Sequence, residues 1–395
     1  MKIKHKILIC ISIFILFSII TAGIVSATDV HVYPEDSIQD AVKNASSGDT
    51  IIVSPGTYAE NIEVNKSVTI KSKSGNPNDT IIRAANPGNH IFHVTASNVA
   101  ILGFTITGAF EEPENRYFPD AGFSVSTFNE TTGKDEVVYS SEGQWALIPK
   151  NWAGIYVDNT DNNIINNNIF LGNNRGILLN SSSNNLLENN TAIDNDGAIS
   201  IWDFSNFNIV RNNNISADEK YRMDKYGISL KESDGNEVYN NNLLRLGITL
   251  LQSDANKLVN NTINPGGIGI TLIESNKNEL SLNSISTSST GIFLRENSSF
   301  NKLTDNTISD NFMGIELQTY SNNNTISKNT LNNNEDIYYS DDSNNNEISE
   351  NNIDYGKYLK RAYDKYVIGV YRGYIVLISI SVFGIIYLFF FMFRK

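Results

Sequence analysis

Cysteine is all but absent. The one cysteine among 395 residues, Cys10, lies in an apolar N-terminal run, so neither disulfides nor thiol chemistry belongs to the rest of the chain. Histidine is nearly as scarce: beyond His5 there are only His31, His90 and His93, and the methionines number four. Copper asks for converging imidazole or sulfur ligands. His90 and His93, three apart in the strand-like NHIFHV, are expected on opposite faces. No copper site and no cofactor is therefore expected. Positive charge is outnumbered too, 30 Lys and Arg against 43 Asp and Glu, for a net charge of −13. Such a chain lacks the basic surface that neutralises phosphates, which excludes a nucleic-acid partner. The repeat region also lacks apolar residues at i, i+3, i+4 and i+7, which excludes stacked helical repeats.

The two long apolar runs stand at the ends. Lys2, Lys4, His5 and Lys6 precede Ile7 to Ile20, and Val25-Ser26-Ala27 offers small residues for cleavage. Residues 1–27 thus read as a signal peptide. Residues 374–393 carry no charge over a length that spans a bilayer, and Arg394 and Lys395 follow as a short cytoplasmic tail. Between the last repeat and this span, residues 354–373 place Tyr355, Tyr358, Leu359, Ala362, Tyr366, Val367 and Val370 at helical spacing. The expectation is a juxtamembrane helix running into a single transmembrane helix, with the bulk of the chain outside the cell membrane. Ten N-x-S/T sequons, at Asn44, Asn65, Asn78, Asn129, Asn180, Asn189, Asn214, Asn260, Asn297 and Asn323, are acceptor candidates in an exported protein.

What the chain has in abundance is one repeated phrase. Asn162, Asn185, Asn208, Asn236, Asn256, Asn278, Asn301, Asn324 and Asn346 each open it, with an apolar residue two positions on and a second asparagine five on. Leu303, Asn306 and Ile308 show the pattern, and Ile326, Asn329 and Leu331 repeat it 23 residues later. Most phrases follow a Gly-Ile start, as at Gly154, Gly176, Gly227, Gly247, Gly269, Gly291 and Gly314. A period of this length is a solenoid signal, and the apolar alternation is that of strands. The predicted fold is all-β: a right-handed parallel β-helix of ~22-residue coils over 28–353. Asparagine suits it on two grounds, tolerance of left-handed corners and amide ladders between coils ~4.8 Å apart. A short helix at 37–44, with Ile38, Ala41 and Val42 on one face, is predicted to cap the open N-terminal end.

With SIQDAVKNASSGDTIIVSPGTYAENIEV followed by the repeated GIxLxxSxxNxIxxNxI, the chain resembles the right-handed β-helix proteins of the NosD-like, carbohydrate-binding and sugar-hydrolase superfamily over roughly 30–353. The resemblance implies the fold. For function it implies a range, from polysaccharide lyases, epimerases and hydrolases to non-enzymatic surface proteins. The Asp-Pro-His motif of alginate epimerases has no counterpart here.

Two insertions interrupt the period, 110–152 and 216–225, each just before a Gly-Ile strand. They are expected to leave the coil at one corner and to wall a groove floored by Asp158, Asn180, Trp202 and Asp203. Trp145, Trp152, Tyr117, Trp202 and Tyr221 are the candidate carbohydrate-stacking residues, because aromatic faces suit sugar rings. The alternative is that these aromatics glue the insertion to the coil. Should the site be catalytic, Asp158, Asp203, Arg222 and Lys225 are the candidates for acid–base or charge-neutralising work, with Asp158 and Asp203 as a hydrolytic carboxylate pair. Glu232, Glu274 and Glu296 stack on one outer face as weak cation candidates, with ion pairing to Lys231 and Arg295 as the favoured alternative. Two functions stay open: an anchored surface protein that binds or organises envelope glycans, and a polysaccharide-modifying enzyme on the same scaffold.

Overall fold

The computed structural model describes residues 27–118, 123–129, 134–140, 144–148, 150–218 and 225–353, with side chains described outside 115–149. Nearly all of the expected signal segment 1–27, and the segments 354–373, 374–393 and 394–395, lie outside the described residues. Among the described residues no helix is long and apolar enough to cross a membrane.

The chain coils through three parallel sheets, one strand per sheet in each turn. Sheet A has 13 strands, sheet B 12 and sheet C 11, giving a right-handed parallel β-helix of about 13 turns. One turn illustrates the rest: Lys302–Thr304 lies in sheet A, Thr307–Ser309 in sheet B and Met313–Leu317 in sheet C. The inward position of each strand is apolar because it stacks on the same position of the next turn. Leu280, Leu303 and Ile326 pair directly in sheet A, and all three are fully buried.

Asparagine forms the ladders, by a different division of labour from the one expected. Asn283 donates from both its backbone and its side-chain nitrogen to Asn306 Oδ1, each at 3.0 Å, and its amide also reaches Leu258 O at 2.8 Å. These ladder residues are buried. The left-handed turn is made by the residue just before each of them, for instance Asn184 at φ 58°, Leu282 at φ 57° and Asp305 at φ 56°. The hydrogen bond, and not left-handed tolerance, selects asparagine in the columns. A third column contains Asn173, Asn195, Asn311 and Asn333. A serine column runs beside them, in which Ser253 N donates to Ser275 Oγ at 3.1 Å and Ser275 N to Ser298 Oγ at 3.2 Å.

The first phrase is corrected by one residue. Asn163 and Asn168, not Asn162 and Asn167, occupy the ladder, and Ile165 and Phe170 fill the core while Ile164 is 40% exposed. Asn162 and Asn167 are instead the left-handed residues. The pairing of Ile165 with Ile101 and Leu187 sets this register, since a one-residue slip would turn every side chain of the strand over.

The cap is present as the helix Ile38–Asn44, burying Ile38, Ala41 and Val42. Glu60 accepts from the Ile38 and Gln39 amides and from the Ser37 hydroxyl, meeting the free donors of its first turn. Both insertions leave between sheets B and C. The first runs from Thr105–Thr107 to Ala153–Asp158, and the second from Asn214–Ser216 to Tyr226–Lys231. Inside the first, Glu114–Phe118 pairs antiparallel with Gln144–Ile148, and Phe123–Asn129 with Lys134–Ser140.

Candidate functional site on the outer face of sheet C

Parallel pairing in register carries outward side chains into rows. One row of sheet C reads Glu63, His93, Tyr156, Leu178, Ser200 and Ser229. The next outward row reads Asp158, Asn180, Trp202 and Lys231. The five turns from Leu178 to Thr271 place leucine, serine or threonine in the first row, whereas the turns on either side of the first insertion place His93 and Tyr156 there.

His93 sits between two carboxylates, with Nδ1 2.9 Å from Glu63 and Nε2 3.4 Å from Asp158. A neutral imidazole donates from one nitrogen only, so both contacts donate when the ring carries both protons. Tyr156 hydrogen-bonds the same Asp158, and burial, with that carboxylate beside it, pushes the phenol up to about 12. His90 stacks on Tyr156 at 4.3 Å and meets Trp152 edge-on at 5.2 Å. Its Nδ1 accepts from the Ala153 amide at 3.0 Å, which fixes the remaining proton on Nε2.

The two histidines are therefore neighbours, with ring centroids 5.9 Å apart, and not on opposite faces. The sequence expectation took strand alternation to begin at His90. The strand begins at Phe92, and Ile91 and Phe92 are buried in succession, which breaks the alternation and brings His90 round beside His93.

Burial lowers the His90 pKa to about 4, with His93 adding to the effect and Asp158 opposing it. The unfolded chain takes up this proton near pH 6.5 and the folded chain only near pH 4. Stability is thus unaffected above pH 6.5 and is lost as pH falls from 6.5 to 4. His90→Phe is expected to remove this part of the acid sensitivity. Thermal midpoints of both proteins across that window check it, and parallel curves would refute it.

The sequence candidates divide. Asp158 belongs to the cluster, and Trp152 borders it, donating from Nε1 to Glu111 at 3.0 Å. Trp202 stands two turns further along, half-buried, with Nε1 3.4 Å from Ser229 Oγ. Asp203 is 3.8 Å from Lys231, which also lies 3.6 Å from Glu232. Asp158, Asn180, Trp202 and Asp203 stand at the far end of the sheet C strands, away from the corner where the insertions leave. Lys225 is turned to Asp196 at 3.8 Å and to Asp194 O at 3.3 Å. Glu274 accepts from Gln252 at 2.8 Å, and Glu296 lies 3.4 Å from Arg295. Tyr221 and Arg222 lie outside the described residues. Tyr117 and Trp145 are paired in the backbone register of the first insertion, and their side chains lie outside the described ones. Glu63, Tyr156 and Arg175 were not singled out from the sequence, and His93 was weighed there only as a copper ligand. Their signal is a deviation within a column, such as Tyr156 where the next two turns place Leu178 and Ser200.

The profile of the family described as "Periplasmic copper-binding protein (NosD)" matches residues 42–245 and 218–365. The chain belongs to the NosD family. A stretch of 73 residues of this chain is 44% identical to a "Cell surface glycoprotein" of Methanothermus fervidus; the match covers 18% of this chain and 12% of that glycoprotein. Among solved structures, the Azotobacter vinelandii mannuronan C-5 epimerase AlgE6 A-module is similar at a TM-score of 0.56. It is 14% identical, over 80% of this chain and 93% of that one. DFA-IIIase from Arthrobacter chlorophenolicus A6 is similar at 0.56, with 12% identity over 82% and 93%. These two likenesses show the fold.

The residues of this NosD protein do not fit the copper ion in the family's description. Both His93 nitrogens are engaged by carboxylates and His90 Nδ1 by a backbone amide, which leaves one imidazole nitrogen free in this pair, and His31 stands apart on the first strand. Among the described residues no three His, Cys, Asp or Glu side chains converge as metal ligands.

Proposed function

We propose that this NosD-family chain is an exported surface protein that binds cell-envelope glycans on the outer face of sheet C, held at the membrane by 374–393. The observation that carries the reading is one continuous face where the half-buried rings of Tyr156 and Trp202 stand among Glu63, Asp158, Asn180 and Lys231. Flat apolar rings flanked by hydrogen-bonding groups are the chemistry that holds a pyranose. The matched segment of a cell surface glycoprotein supports an extracellular setting. An array of polysaccharides probed with the full chain in detergent, followed by calorimetry on each hit, tests the reading. Trp202→Ala and Tyr156→Ala are each expected to weaken binding by about tenfold, as the loss of one aromatic stacking contact does. Unchanged affinity in both would move the site elsewhere.

A second reading, a glycan-modifying enzyme, is favoured by one observation: His93 and Tyr156 converge on Asp158. An imidazole and a phenol within reach of one carboxylate are groups that move protons. On this reading Tyr156→Phe and His93→Gln bind glycan and yield no product.

A further inference from the structure

Among the described residues Arg175 is a buried cation without a paired counter-ion. It is 6% exposed, and its Nε has no hydrogen-bond partner. Among the described residues no carboxylate pairs with it. Its guanidinium carbon lies 5.0 Å from the centre of the Trp202 ring. The seat exists because residue 197 is glycine, where a Cβ would stand 2.3 Å from Arg175 Nη1. The nearest acid in charge terms, Asp196, is committed elsewhere, accepting from Asn174 at 3.0 Å and facing Lys225 at 3.8 Å. Ser200, on the neighbouring strand and 1% exposed, has a second orphaned polar atom in its Oγ. Burial works against the Arg175 charge, as its lowered pKa reflects.

A guanidinium carries five donors, and a buried one left unpaired is costly. Arg175 Nε and Ser200 Oγ, on strands paired side by side, both lack a hydrogen-bond partner, and the guanidinium lies against an aromatic ring. We propose that Arg175 and the Ser200 hydroxyl receive the carboxylate of an acidic sugar whose ring packs against Trp202. The inference rests on the glycan-binding reading and narrows it to uronate-type chains. A carboxylate fits better than a phosphate ester because one negative charge balances one guanidinium. A dianion would leave surplus charge beside Asp196 and Asp203. The planar fork of arginine also matches a carboxylate through two parallel hydrogen bonds.

The test uses the full chain in detergent with tetrasaccharides of galacturonate, glucuronate and mannuronate, each beside its methyl ester and its uncharged parent sugar. At least one acid is expected to bind about tenfold or more tighter than its ester. Because Arg175 lies against Trp202, binding is expected to change the tryptophan fluorescence. Arg175→Met, which keeps length and apolar contact, is expected to bind acid and ester alike and to melt no lower than the parent, having lost an unpaired buried charge. Ser200→Ala, a smaller change, is expected to weaken the acid and leave the ester untouched. If acid and ester bind alike, or Arg175→Met keeps the preference, the carboxylate site is refuted while glycan binding stands. If neither acidic nor uncharged chains bind, both fall together.

Discussion

Leu303→Asp is expected to abolish the folded solenoid. Leu303 is fully buried and stacks between Leu280 and Ile326 in sheet A. An aspartate there would place a carboxylate among aliphatic side chains with no donor to meet it. Its options are to stay charged without a partner or to bind a proton, and either costs several kcal/mol on top of the lost leucine burial, about 2–5 kcal/mol by itself. Net stabilities of 5–15 kcal/mol leave little reserve. Stability in a stacked array is also a sum of neighbour contacts, so the turns on both sides lose their interface at once. Expression, far-ultraviolet circular dichroism and resistance to a broad protease read the outcome. A variant as protease-resistant as the parent would contradict the core assignment.

Asn306→Ala is the second large effect. Its amide donates to Leu280 O and to Asn329 Oδ1, both at 2.9 Å, and its Oδ1 accepts from the backbone and the side chain of Asn283, both at 3.0 Å. Alanine would leave Leu280 O and two Asn283 donors buried without partners. At about 1–3 kcal/mol for each of the three, the loss is on the order of 3–9 kcal/mol. The adjacent exposed Asp305 is the control. Its φ of 56° suits glycine, and Asp305→Gly is expected to change stability by no more than about 0.5 kcal/mol. Denaturant midpoints of the two variants check the contrast. Equal losses would mean that the ladder contributes no more than a surface residue.

Much of this architecture was legible because each turn repeats the same physical demand. From Asn185 onward the columns, the inward Ile and Leu positions and the capping helix were all readable. The first turn was misread because DNNIINNNIF offers two asparagines at each ladder position and two isoleucines to choose between. Only pairing with Ile101 and Leu187 decides between Ile164 and Ile165, and that is information from neighbouring turns. The site was harder for the same reason. His93 and Asp158 are 65 residues apart, because the first insertion falls between two turns that stack directly. Glu63 and His93 meet across an irregular early turn that lacks the Asn phrase altogether. Arg175 escaped notice because nothing in its local sequence shows that its charge has no partner. That shortage becomes visible only when every nearby acid has been assigned.

The stacking of sheet C also makes the molecule a spacer of fixed length. From the strand Ala153–Asp158 to the last strand of that sheet, Glu335–Tyr339, there are eight steps in the strand order. At ~4.8 Å each, this holds the His93–Tyr156 cluster about 38 Å from the final turn. Most of those intervening turns are repetitive and contribute distance rather than chemistry. Gaining or losing one turn by duplication or deletion would reposition the cluster by one increment of the same size, without altering a contact inside it. A standoff set this way is adjustable in quanta, the property wanted of a rod that must present one face at a defined height.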